Sequence, residues 1–447
     1  MSALHALTVA GAARAVSAGQ VSAEQLTRAL IGRVERLDGR VRAWVGVDPE
    51  RALAEARARD RASAAERGPL HGVPLGVKDI FDVAGWPTAA GFAPFADRPA
   101  AEDSAAVARL RAAGATILGK TVTTQFAYMD PPPTRNPWSD RSTPGGSSSG
   151  SGAAVAARMV PGALGSQTGG SVLRPAAYCG VVGLKPSYGR ISRRGVLPLA
   201  WTLDHAGVLC RTVEDAALLL QALAGPDAAD PGCSSRAADD YVAAARAPRP
   251  PRLLVLDDFL ARAQPEARES FERTVADLAA AGARIGRAAF PSRAEALIST
   301  HAVVMQSEVA SAHRRLLEQH ADRYAPRIRA YVETGALVPA ADYVDAQRLR
   351  RRLRGEARDL LAGADCLLLP TVSGPAPGPE TTGDPSFQGP FSLLGLPAIT
   401  LPSALTASGL PLGVQLVGPD FGEARLLEAA AWCEGALPAP PAPPGFA

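Results

Sequence analysis

The sequence predicts an α/β fold, one large α/β/α unit carrying a helical excursion. Helical and strand-like stretches alternate through short connections, as where VARLRAAG leads into TILGK. Residues of about 292–364 read almost wholly helical, and apolar strand-like runs return at 366–369, 398–401 and 412–417 to complete a sheet begun near Val73. No internal repeat divides the chain, so 1–447 is expected to form one domain. Its expected parts are N-terminal helices over 1–67, an α/β core over 68–225 and 365–437, and a variable, mostly helical region over 226–364.

The elements follow in order from local signals. Ser22 with Gln25 forms a capping-box pattern ahead of Leu26, Leu30 and Val34 at helical spacing. The run from Pro49 to Arg67 is rich in Ala, Arg and Glu and reads as a largely solvated helix. From Gly72 to Val77 the apolar stretch reads as a buried strand, and Lys78 follows directly. Lysine is almost never fully buried without a partner, so Lys78 is either a functional amine or one that snorkels from a strand edge. Asp103 or Ser104 caps the next helix, Gly114 ends it, and Thr116 to Lys120 is a strand. Phe126 to Trp138 is too rich in proline for regular structure. Thr212 with Asp215 caps the helix that Gly225-Pro226 stops, Leu253 to Leu256 is a buried strand, and Pro265 to Ala281 is a helix ended by Gly282. A closing helix runs from about Gly422 to Glu434 ahead of a proline-rich tail.

Composition excludes several function classes. A net charge of +3, from 47 basic and 44 acidic residues, provides no basic stripe for nucleic acid, and the densest run, RRLR at Arg351 to Arg354, reads as a solvated helix face. No apolar run reaches membrane-spanning length, and Arg14 interrupts the only candidate for a secretory leader. Five scattered cysteines without a CxxC pair point to reduced thiols in a cytoplasmic protein, and six histidines without ligand spacing point to no metal site.

The stretch from Gly145 to Gly189 holds the chemistry. It contains two Gly/Ser clusters, the first opening an Ala-rich helical run and the second following a short apolar run. Glycine permits close backbone approaches, and serine offers a hydroxyl that can donate, accept or attack. Two such clusters in one unit of this size read as converging catalytic loops. A flexible linker would not be interleaved with MVPGAL and AYCGVVGL, and a phosphate cradle would end in GK(S/T), which is missing here.

The motifs GGSSSGSG, QTGGS and YCGVVGLKPSYG, with HGVPLGVKDIFDVAGWPTAAG upstream and GLPAITLP and GLPLGVQLVG downstream, together span most of the chain. In this order they resemble the amidase signature family of serine hydrolases. The resemblance implies a mixed central sheet, no cofactor, and hydrolysis of a carboxylic amide through an acyl-serine intermediate. Carried over position by position, it implies Ser171 as nucleophile, Ser147 as a bridging, cis-configured serine and Lys78 as base. Thr168, Gly169, Gly170 and Ser171 are implied as the oxyanion hole, and Tyr128, Met129 and Gln167 as substrate-binding residues. A lysine of reference pKa ~10.4 must be neutral to act as a base, which asks burial to lower it by roughly 3 units.

Departures from the family pattern bear on substrate class. Gln167 stands where Asp is usual, Leu173 where Arg is usual, with Arg174 one residue on, and Ile80 replaces a frequent Asn. Losing Asp and Arg together suggests exchange of a charged pair for a neutral arrangement. The partner expected is a small-molecule amide, with a homodimer left open. The A subunit of a tRNA-dependent amidotransferase shares the triad and is the second reading. A catalytically silent binding protein is the third, which intact Lys78, Ser147 and Ser171 oppose.

Overall fold

The computed structural model of the chain describes residues 4–446. Its strands are β1 (Trp44–Val47), β2 (Pro74–Lys78), β3 (Thr116–Thr121), β4 (Gly162–Gln167), β5 (Val182–Lys185), β6 (His205–Cys210), β7 (Arg252–Leu256), β8 (Arg284–Ala288), β9 (Cys366–Pro370), β10 (Ala398–Leu405) and β11 (Pro411–Val417). All eleven join one sheet in the order β1-β3-β2-β4-β6-β5-β10-β11-β9-β7-β8. β2 runs parallel to β3 and β4, and β7 runs parallel to β8 and β9, while the strands between them pair antiparallel. The protein is therefore a mixed α/β fold around a large central sheet. Among the described residues no helix is long and apolar enough to cross a membrane.

Two differences from the sequence reading stand out. The N-terminal stretch is not wholly helical, because Trp44–Val47 adds an edge strand antiparallel to β3. Beyond the expected strand at Leu253 to Leu256, which is β7, the region 226–364 also supplies β8 to the sheet before it turns into the helices Arg293–His320, Pro326–Gly335 and Ala340–Ala362. Short strands such as RIGRA, with no fully buried residue, carry too little apolar alternation to stand out from the sequence.

The capping signals act as read. Ser22 Oγ accepts from the Gln25 N–H at 3.0 Å while Gln25 Oε1 accepts from the Ser22 N–H, and Thr212 Oγ1 accepts from the Asp215 N–H. Pro265–Ala281 is a helix from its first-turn proline to Gly282, whose φ of 117° only glycine adopts readily.

The short helix Ser149–Ala156 matters most for the site. It packs on β2, β3, β4 and β6, and its serines are tied inward, Ser149 to the Gly145 carbonyl at 2.7 Å and Ser151 to the Leu164 carbonyl at 2.8 Å. A Cβ at Gly150 would lie 2.2 Å from the Ala43 carbonyl oxygen and 2.4 Å from the Val122 nitrogen, both main-chain atoms. Gly150→Ala is accordingly expected to destabilise the fold by roughly 2–3 kcal/mol, read as a lower urea midpoint at unchanged slope.

Candidate active site

Lys78 is the last residue of β2, held in the sheet interior between β3 and β4. Its side chain is fully buried. The neighbouring carboxylate, Asp79, is taken by Lys120 at 3.1 Å, so the Lys78 amine has no salt-bridge partner among the described residues. Hydroxyls surround it instead: Nζ lies 2.7 Å from Ser147 Oγ, 2.8 Å from Ser166 Oγ and 3.1 Å from Ser148 Oγ. Burial holds the amine well below the ordinary lysine range, and the more distant Asp204 carboxylate draws it only partly back.

Ser147 opens the turn into the helix Ser149–Ala156, and the Gly146–Ser147 peptide is cis. The turn is tied to the second Gly/Ser loop by the Ser148 N–H, which donates to the Ser171 carbonyl at 3.2 Å. Ser148 Oγ in turn donates to the Ser166 carbonyl at 3.3 Å. The structure thus brings Lys78, Ser147 and the backbone of Ser171 into one cluster. The hydrogen-bond chain that starts at Lys78 reaches Ser147 Oγ; Ser171 Oγ is not among the partners of either side chain.

Ser171 instead faces a cavity of about 270 Å³, together with Thr168, Gly169 and Gly170. Those four residues form the turn between β4 and the helix Leu173–Cys179. The main-chain N–H groups of Gly169, Gly170 and Ser171 have no acceptor among the described residues, although all three residues are buried. Buried, unpaired main-chain donors are rare in folded proteins, and three in succession beside a serine leave three N–H groups open to an acceptor. A Cβ at Gly170 would meet Gln388 Oε1 at 2.2 Å, so a side chain there would force the buried Gln388 amide to shift.

The walls of the cavity are mostly apolar. Tyr128 and Met129 line it, as do Ile298, Met305 and Tyr331 from the helical region, and Tyr128 and Tyr331 stack with ring centroids 4.6 Å apart. Phe126 and Ala127 hold left-handed backbone angles just before Tyr128, a conformation uncommon for residues other than glycine. A larger surface groove of about 640 Å³ lies elsewhere, between Arg249, Arg252, Asp365 and Arg425, and holds none of the candidate residues.

Gln167 departs from the sequence expectation. It does not line the cavity; it is fully buried at the end of β4 with its amide spent on structure. Its Oε1 accepts from the Val172 and Leu173 N–H groups at 2.9 and 3.0 Å, and its Nε2 donates to Ser392 Oγ at 3.0 Å. A neutral amide thus caps the helix that follows Ser171, with no need for a charge at position 173. Arg174, one residue on, reaches the Gly146 carbonyl at 2.8 Å. Ser148 and Ser166, both bonded to Lys78, were not singled out by the sequence as contacts of the lysine. His301, which donates from Nε2 to the Thr168 carbonyl at 3.1 Å, and Ser392 carry no local motif at all.

Comparison with known proteins agrees with this architecture. The family model described as Amidase matches residues 25–427. The chain is 38% identical over 434 residues to "Putative amidase AmiD" of Mycobacterium tuberculosis, covering 92% of this chain and 90% of that one. It is 36% identical over 458 residues to the A subunit of the glutamyl-tRNA(Gln) amidotransferase from a Geobacter species, covering 93% and 94%. Among solved structures, the peptide amidase of Stenotrophomonas maltophilia superposes with a TM-score of 0.84 at 30% identity, covering 98% of each chain.

Proposed function

The chain belongs to the amidase signature family and is an amidase, and from that premise we propose that it hydrolyses a carboxylic amide through an acyl-enzyme formed on Ser171. Ser171 Oγ attacks the amide carbonyl carbon as its proton passes to Ser147 Oγ, and the Ser147 proton passes to Lys78 Nζ. The carbonyl oxygen becomes an oxyanion held by the N–H groups of Gly169, Gly170 and Ser171. The proton gained by Lys78 then returns through Ser147 to the leaving nitrogen, the C–N bond breaks, and water hydrolyses the ester by the same relay.

The observation that carries this reading is the environment of Lys78. A neutral amine has two N–H donors and one lone pair. Ser148 spends its own proton on the Ser166 carbonyl, so its oxygen is left to accept from Lys78. With a second N–H directed to Ser166 Oγ, the lone pair is left for the Ser147 hydroxyl at 2.7 Å. An ammonium would need all three hydroxyls as acceptors, with no carboxylate in ion-pair contact among the described residues and only the more distant Asp204 to offset its charge, which burial opposes. Closing the relay requires Ser171 Oγ to come within hydrogen-bond reach of Ser147 Oγ as the substrate seats.

The cavity walls favour an acyl group that is apolar, aromatic or branched aliphatic, over a small polar one. Tyr331→Ala is expected to raise KM for such amides about tenfold, roughly the 1.4 kcal/mol of one lost aromatic contact, and to leave acetamide turnover nearly unchanged. A panel of amides assayed by ammonia release tests the function itself. Turnover of apolar-acyl amides is expected, and purified, folded protein that turns over none of them would contradict it.

The amidotransferase relative keeps a second reading in view, since its similarity extends over nearly the whole of both chains. Cleavage of apolar-acyl amides by the isolated chain favours the amidase; glutamine cleavage that depends on a co-purifying partner favours the other.

A further inference from the structure

A turn whose carbonyls are held from outside has its N–H groups aimed from outside as well. In a trans peptide the carbonyl of one residue and the N–H of the next point in opposite directions within one plane. The peptide units after Thr168 and after Gly169 are both trans, the only cis bond among the described residues being Gly146–Ser147. Both carbonyls are pinned by side chains distant in sequence. His301 Nε2 reaches the Thr168 carbonyl at 3.1 Å, and Ser392 Oγ donates to the Gly169 carbonyl at 2.7 Å.

Each donor is itself committed. A carbonyl can only accept, so Nε2 must carry the imidazole proton. The ring is wedged between two glycines: a Cβ at Gly169 would meet His301 Cε1 at 3.5 Å, and one at Gly389 would meet Nδ1 at 3.1 Å. Burial pushes the His301 pKa down to about 4, so the ring is neutral at ordinary pH. Ser392 Oγ receives a hydrogen bond from Gln167 Nε2 at 3.0 Å, and of the two carbonyls its own proton can reach, that of Gly169 at 2.7 Å is much nearer than that of Gln388 at 3.4 Å. Two helices remote from the signature, Arg293–His320 and Gly389–Leu394, therefore meet at this turn.

We propose that His301 and Ser392 are positioning residues for the oxyanion site, fixing the two peptide planes whose N–H groups, those of Gly169 and Gly170, receive the substrate carbonyl oxygen. This rests on the acyl-serine reading above. It adds that the helical region, which shapes the cavity, also sets the reactivity of the loop. An N–H misdirected by a few tens of degrees is lost to the developing oxyanion but not to the ground-state substrate, so the defect belongs to the chemical step.

The test uses the full-length chain and a rhodamine-tagged fluorophosphonate, in whose reaction the Ser171 Oγ–P bond forms as P–F breaks and fluoride leaves. In His301→Phe, which keeps the ring but removes the donor, and in Ser392→Ala, labelling is expected to slow by roughly 10- to 100-fold. In His301→Gln, whose amide nitrogen can stand in for Nε2, the rate is expected within about threefold of wild type. Melting temperatures measured alongside separate misdirection from unfolding, and Ser392→Ala, the smaller change, serves if His301→Phe does not fold. Folded His301→Phe and Ser392→Ala proteins labelled at the wild-type rate would overturn the proposal, as would His301→Gln no faster than His301→Phe. Wild-type protein that takes no label on Ser171 would instead overturn the acyl-serine reading beneath it.

Discussion

Ser171→Ala is expected to reduce amide turnover to background, a loss on the order of 10⁴-fold or more, as when a nucleophile that works in concert with its base is removed. The loop should survive the change. Its shape is set by Gln167, which accepts two N–H groups, by the Ser148 N–H bonded to the Ser171 carbonyl, and by Ser392 on Gly169. None of these uses the Ser171 hydroxyl. The variant should therefore bind amide substrates with little change while cleaving none, measured as retained binding by calorimetry alongside ammonia release. Wild-type turnover in folded Ser171→Ala would remove the nucleophile from the scheme.

Lys78→Met is expected to be nearly as severe, on the order of 10³- to 10⁵-fold, because among the described residues no other base is bonded to Ser147 Oγ. Ser147→Ala should follow at roughly 10²- to 10³-fold, since water can bridge a missing hydroxyl only poorly. The lysine also leaves a signature in stability. Its folded-state pKa lies well below the unfolded value, so between the two the unfolded chain binds a proton that the folded chain refuses. Stability from this group therefore rises with pH across that window, up to about pH 10.4, and falls as pH is lowered through it. Urea unfolding between pH 7 and 10 should show that slope in wild type, and Lys78→Met should lack its share. Equal slopes in the two proteins would mean that Lys78 is charged in the fold.

Much of this arrangement was legible in the sequence because it rests on local patterns. An apolar run ending in lysine marks β2, and Gly/Ser clusters mark both loops. Capping boxes and glycine stops mark the helices at Ser22, Thr212 and Gly282. What escaped has a physical reason in each case. Trp44–Val47 and Arg284–Ala288 are edge strands, and neither shows the apolar alternation of a strand with one clearly buried face. The family resemblance implied Gln167 as a substrate-binding residue because it stands at a position that bears on substrate class; only the fold shows its amide turned inward to cap the next helix. His301 and Ser392 lie 133 and 223 positions from the carbonyls they bind, and a histidine within a helical run carries no sign of its partner.

The central claim is that an uncharged amine at position 78 takes the nucleophile's proton. The most direct measurement is the pH dependence of the pre-steady-state acylation rate of wild-type enzyme. The expected profile loses activity only on the acid side, as Lys78 gains its proton, and levels off well below the ordinary lysine range. A rate that keeps climbing toward pH 10, as an amine with the ordinary lysine pKa of ~10.4 requires, would contradict it.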